Sequence, residues 1–245
     1  NMSYEKQLDF KQEEVYNNIK RIGGIDNFET VPILGSQEQY YYRNKMEFSF
    51  SNARWLTQYE ISSEENFGNR DALGFHIPGM WSKILDLKEC FLQEEPSNTI
   101  RLAVKEYAVK NGLDFFDVKD HEGFLRTLMM RQNSNGEWMV LFQLFREEKE
   151  NREKLFQFLL ETFPQIKTLV YAINPKANDS IYDLDINVYF GEGYLMEEMD
   201  GLKFKIGPKS FFQTNYKQAL ELYRKTLEFA DLKGDEVVYD LYTGT

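Results

Sequence analysis

The sequence predicts an α+β domain with an antiparallel sheet and flanking helices over residues 1–209. Residues 210–245 then read as the first helix and strand of an open α/β sheet. Three observations carry this. Runs of alternating apolar residues are joined by strong turn pairs at Pro78-Gly79, Asn135-Gly136 and Asp200-Gly201. Helical stripes stand between those runs, with few places for a parallel crossover. After Pro208 the pattern changes to a helix, a short mostly apolar run and a glycine-bearing turn.

Composition bounds the answer before any motif does. At 245 residues and 42% hydrophobic, the chain is globular, and long enough for one large domain or one domain plus part of another. No apolar run approaches the roughly eighteen residues of a membrane span and no signal-peptide pattern appears, so a cytoplasmic protein is expected. The single cysteine, Cys90, excludes an intrachain disulfide. A net charge of −11 counts against a simple electrostatic nucleic-acid binder, although it leaves room for a local basic cleft. The acidic pairs Glu64-Glu65, Glu94-Glu95, Glu147-Glu148 and Glu197-Glu198 read as solvated faces.

In chain order, Ser3 caps a first helix whose buried stripe is Tyr4, Leu8, Val15, Ile19 and Ile22, ended by Gly23-Gly24. Residues 40–50 alternate as a strand: Tyr40, Tyr42, Met46, Phe48 and Phe50 on one face, Tyr41, Arg43, Lys45 and Glu47 on the other. Asn44 interrupts the apolar face. Residues 73–92 read as strand, Pro-Gly turn and strand. A second helix lies between Pro96 and Gly112, with Ile100, Ala103, Val104, Tyr107 and Ala108 inward. The hairpin of 124–132 and 137–145 follows, then a helix over Arg152–Phe163 closed by Pro164, and a strand over 169–173. Residues 182–190 alternate again, placing Tyr182, Leu184, Ile186, Val188 and Phe190 on one face. His76 and His121 lack metal-ligand spacing and read as turn or surface residues.

The last stretch organises the rest. Leu202, Phe204 and Ile206 share a strand face until Pro208 stops it. Asn215 is placed to cap a helix, with Gln218 three residues on and an apolar stripe of Tyr216, Ala219, Leu220, Tyr223, Leu227 and Ala230. Glu236–Leu241 has the composition of a strand covered on both faces, and it leads into Tyr242-Thr-Gly-Thr245. The helix at residue 3 begins in register and Thr245 falls inside a turn, so the chain reads as a fragment.

Lys-Ser-Phe-Phe-Gln-Thr-Asn (209–215), the helix after it and Val-Tyr-Asp-Leu-Tyr-Thr-Gly-Thr (238–245) together resemble the S-adenosylmethionine-dependent RNA (uracil-5)-methyltransferases, most closely their 23S ribosomal RNA branch. Weaker resemblances lie in Tyr42-Arg-Asn-Lys45, in Cys90 and in Asn174-Pro-Lys-Ala-Asn178. The resemblance implies a Rossmann-like methyltransferase domain opening at residue 210. It also implies methyl transfer to C5 of a uridine in ribosomal RNA: a thiolate adds to C6, C5 takes the sulfonium methyl, and a carboxylate removes the C5 proton. No membrane or protein partner is implied.

By the same resemblance, Gln213, Tyr242 and Gly244 are cofactor-binding residues, and Arg43, Lys45, Arg126 and Arg131 are candidates for RNA contact. Cys90 matches the fourth thiolate of a 4Fe-4S cluster in the full-length protein, although phenylalanine follows it where family members often have proline. The nucleophilic cysteine and the general-base glutamate are expected beyond Thr245, so this polypeptide alone is expected to be inactive. Two alternatives stay open: a transfer-RNA uracil-54 C5-methyltransferase, and a non-catalytic RNA-binding or interaction module.

Overall fold

A computed structural model describes residues 2–63 and 68–241. Two compact units emerge, one up to Tyr41 and one from Tyr42 onward. In the first, Ser3 accepts a hydrogen bond from the Lys6 amide and starts α1 (Tyr4–Asn17), which continues as a π turn over Asn18–Ile22. The expected buried stripe is not buried. Val15 is 53% exposed and Ile22 83%, and within this unit the helix meets its following segment through Tyr4, Leu8 and a Tyr16–Phe28 ring contact.

The second unit is built on a seven-stranded sheet. Its strands are β1 (Lys45–Ser51), β2 (Ala72–Ile77), β3 (Met80–Asp86), β4 (Leu125–Gln132), β5 (Trp138–Leu144), β6 (Ile166–Ile173) and β7 (Asn187–Phe190), in the order β3-β2-β1-β4-β5-β6-β7. Every pairing is antiparallel except β5 with β6, so the expected antiparallel sheet is a mixed one. The reason lies in the connection: β5 returns through a whole helix rather than a tight turn, and a helical crossover is what sets two strands parallel. The short α2 (Gln58–Ser62), absent from the sequence reading, starts with a capping box between Thr57 and Glu60.

One face of the sheet carries α3 (Ser97–Lys110) and α4 (Lys149–Thr162). Ile100, Val104 and Ala108 of α3 and Leu155, Phe156 and Leu159 of α4 are buried against Phe48, Leu128, Val140, Phe142 and Leu169. Each of the larger side chains contributes roughly 1.5–3 kcal/mol by leaving water, and Ala108 less. On the other face Met129, Met139, Leu141 and Val170 are covered by Leu195, Ile181 and Ile186. Sheet parity at β7 departs from expectation: Val188 and Phe190 are about half exposed, and Tyr189 packs on Phe156. A register irregularity between Leu169 and Val170 accompanies the shift, and moving a strand by one residue exchanges its faces.

A separate hairpin, β8 (Leu195–Met199) and β9 (Leu202–Ile206), turns at Asp200-Gly201, both with positive φ as a two-residue hairpin of this kind requires. Of the Glu197-Glu198 pair, Glu198 is exposed as expected and Glu197 is not. Glu197 is buried and accepts from the amides of Ser134 and Glu198. Glu64-Glu65 lies outside the described residues.

Asn215 caps α5 (Tyr216–Ala230) through the Gln218 amide. The strand expected at Glu236–Leu241 is not formed. Val237, Val238, Tyr239 and Leu241 are 65–81% exposed, and no strand forms over 236–241; a doubly covered strand exists only with neighbours to cover it. No helix among the described residues is long and apolar enough to cross a membrane.

Candidate functional site

The segment between β9 and α5 is held from three sides. Pro208 ends the strand, and Gly207 and Ser210 close a tight turn, with the Gly207 amide donating to Ser210 Oγ at 3.0 Å. Lys209 Nζ then donates to the carbonyls of Tyr182 and Leu184 at 3.1 and 2.6 Å. Arg131 Nη2 donates to the Ser210 carbonyl at 3.0 Å. Phe212 is buried with Met199 and Ile206, its ring 5.8 Å from that of Phe204. Asn44 completes the clamp: its Nδ2 donates to the Gln213 carbonyl at 3.0 Å and its backbone amide to the Thr214 carbonyl at 2.7 Å. Phe211 and the Gln213 side chain stay exposed. The segment that the sequence singled out is therefore a fixed loop presenting Gln213 from its surface.

Asn44, the residue that interrupts an apolar strand face in the sequence, makes this possible. It is 3% exposed, and a buried amide without partners is costly. The strand itself begins at Lys45, later than expected; Tyr40 is 64% exposed and Tyr41 has a positive φ.

The four candidate RNA contacts divide into two pairs. Lys45 opens β1 on its solvent side, its ammonium 2.7 Å from Glu47, and Arg43 stands two residues before it, half-buried, its amide on the Leu92 carbonyl. Arg126 and Arg131, the other two candidates for RNA contact, are each 3% exposed and lie inside the fold. Arg126 donates to Asp179, to the Asn174 carbonyl and to the Lys176 carbonyl, and its guanidinium lies 4.6 Å from the Phe116 ring. Asn174 bonds Gln143, Asn178 and Lys176 in turn, so the Asn-Pro-Lys-x-Asn motif is a loop wound around Arg126. Desolvation pushes Arg131 down to about 10, which leaves it a cation at neutral pH. Among the described residues its bonded partner is within the clamp, and Nε and Nη1 have none.

Cys90 is buried in the main core, and its peptide is pinned at both ends by Asn98, which accepts from the Cys90 amide and donates to its carbonyl. A 4Fe-4S cluster takes four thiolates and this sequence has one, so these residues alone do not fit a cluster. Among the described residues no three His, Cys, Asp or Glu side chains converge on a metal site. Tyr242 and Gly244 lie outside the described residues.

No family model matches. Proteins named as uncharacterized RNA methyltransferases match along the chain: 47% identity in Bacteroides thetaiotaomicron, covering 100% of this chain and 54% of the relative, and 49% in Porphyromonas gingivalis, covering 99% and 53%. This chain is similar to RNA methyltransferases from end to end. It spans about half the length of the curated relatives it matches. Among solved structures, the tRNA (uracil-54, C5)-methyltransferase of Pyrococcus abyssi in complex with S-adenosyl-L-homocysteine superposes with a TM-score of 0.66 at 25% identity. It covers 93% of this chain and 48% of the methyltransferase.

Sequence reasoning missed the clamp itself. The one signal for it was the polar residue on an otherwise apolar face at Asn44, and its partner lies 169 positions away.

Proposed function

We propose that this chain is part of an S-adenosylmethionine-dependent RNA (uracil-5)-methyltransferase: residues 1–209 its central domain, residues 210–245 the opening of its cofactor domain. One observation carries the reading. A solved uracil-C5 methyltransferase superposes over 93% of the chain, and in this chain the 209–215 segment is a fixed loop that leaves Gln213 exposed. An exposed carboxamide offers donors and acceptors together, which suits the placing of a cofactor beside a pyrimidine. Tyr242 and Gly244 join Gln213 in this proposal. Arg43 and Lys45 are the proposed phosphate contacts; Arg126 and Arg131 support the structure from inside.

Ribosomal RNA is the proposed substrate, on the strength of the motif resemblance. The reading as a transfer-RNA uracil-54 enzyme is favoured by a different observation, the solved structure just described. Cys90, buried in the core, is not offered as the nucleophile; on this reading the 245 residues alone transfer no methyl group.

The test is methyl transfer by the full-length protein from labelled S-adenosylmethionine to 23S ribosomal RNA and to transfer-RNA transcripts, with nucleoside analysis. The expected product is 5-methyluridine in ribosomal RNA. Methylation of transfer RNA alone would select the second reading, and none in either RNA would remove both. Three further thiolates and the visible absorbance of an iron–sulfur cluster in that protein would make Cys90 a ligand; a colourless, iron-free active protein would leave it a core residue.

A further inference from the structure

We propose that Asn44 is a positioning residue for Gln213, fixing from the central sheet the backbone that aims the Gln213 side chain. The inference rests on the reading of Gln213 as a cofactor contact and goes beyond it by naming what orients that contact.

Gln213 lies at the surface, where packing does not hold it, so its backbone is what sets the direction of its Cα–Cβ bond and the reach of its carboxamide. Asn44 holds the two consecutive carbonyls of Gln213 and Thr214, which fixes both peptide planes that follow the Gln213 Cα. Upstream, burial of Phe212 and the bond from Arg131 to the Ser210 carbonyl fix the planes before it. Asn44 is itself immobile: its carbonyl accepts from the Gln132 amide at 2.8 Å, continuing the β1–β4 ladder into the clamp. A site residue on a loop keeps its geometry when rigid elements supply the loop's partners, and a small misplacement there is expensive.

The experiment measures S-adenosyl-L-homocysteine affinity by calorimetry in the full-length protein for Asn44→Ser, Asn44→Asp, Gln213→Ala and the double variant Asn44→Ser/Gln213→Ala. Thermal midpoints serve as the control for folding. Asn44→Ser removes the Nδ2 donor and leaves a hydroxyl that can bond locally; Asn44→Asp keeps the shape and sets a carboxylate against the carbonyl. Each is expected to weaken binding about tenfold, the effect of losing one bond of this kind. In the Gln213→Ala background, Asn44→Ser is expected to cost less than twofold more, because a residue acting through Gln213 has nothing left to position.

Multiplying losses would overturn the proposal, since a merely structural Asn44 weakens binding whether or not Gln213 is present. Wild-type affinity in both Asn44 variants, with Gln213→Ala weakened, would overturn it while leaving the cofactor reading intact. Unchanged affinity in Gln213→Ala would remove the cofactor reading and the proposal with it. Should Asn44→Ser not fold, Asn44→Asp with its own double variant decides in the same way.

Discussion

Arg126 and Asp179 form an ion pair at 2.8 Å in which the cation is 3% exposed and the carboxylate 58%. The asymmetry defines what the pair does. Most of what Arg126 gains comes from the loop carbonyls of Asn174 and Lys176 and from the Phe116 ring, with Asp179 as an outer partner.

Arg126→Met is therefore expected to destabilise the fold by on the order of 3 kcal/mol, because the buried Asn174 carbonyl and the part-buried Lys176 carbonyl lose a charged donor. Asp179→Ala, removing the solvated partner, should cost about 1 kcal/mol or less. Urea unfolding of both variants checks this, and equal losses would contradict it.

Glu60 carries a pH prediction. Its carboxylate accepts from the Thr57 backbone amide and from Arg54, which lower it from 4.5 to about 2. A carboxylate lowered in the folded state adds stability that is fully present above 4.5 and is lost as pH falls toward 2. A carboxyl NMR titration should place the Glu60 midpoint near 2, and Arg54→Ala should raise it toward 4.5.

Two glycines separate space from backbone conformation. A Cβ on Gly74 would lie 1.9 Å from the Leu85 carbonyl oxygen of the neighbouring strand. Gly74→Ala should cost about 3 kcal/mol or abolish soluble expression. Gly79 sits in the β2–β3 turn at φ +77° with open space around it, so Gly79→Ala should cost only about 1 kcal/mol, from conformation alone.

Leu222, Leu227 and Phe229 of α5 are 60–68% exposed, and Val237 and Tyr239 are each 80% exposed. An apolar surface of this kind binds dye and drives association. The 245-residue chain should enhance the fluorescence of a hydrophobic dye and self-associate in sedimentation. Leu227→Glu with Phe229→Glu should reduce both while leaving the thermal midpoint unchanged.

Local chemistry was readable in the sequence wherever a residue acts on its neighbours. The turns at Pro78-Gly79, Asn135-Gly136 and Asp200-Gly201 and the caps Ser3 and Asn215 stand where turn and capping rules put them. Long-range choices were not readable. Nothing in residues 182–190 signals that Tyr189 faces the core, because that depends on an irregularity in the partner strand. The buried cations Arg126 and Arg131 look like surface residues of an alternating strand, and Arg101 like one on the polar side of a helix. Their acceptors are backbone carbonyls from distant loops, Leu87 and Lys88 for Arg101 and Ser210 for Arg131. Of the candidate site, the motif 209–215 was legible and its anchorage on Asn44 was not.

The turn at 133–136 has one consequence for engineering. Such a hairpin tip, rich in asparagine and glycine, is ordinarily where extra residues are inserted without harm. Here Asn133 reaches across to the Met196 carbonyl and the Ser134 amide to the buried Glu197, so the tip is a rivet between the two sheets. Inserting a peptide there would unseat the β8–β9 ribbon and slacken the loop it feeds, which makes this turn a poor place to graft a tag and a sensitive place to find loss-of-function variants.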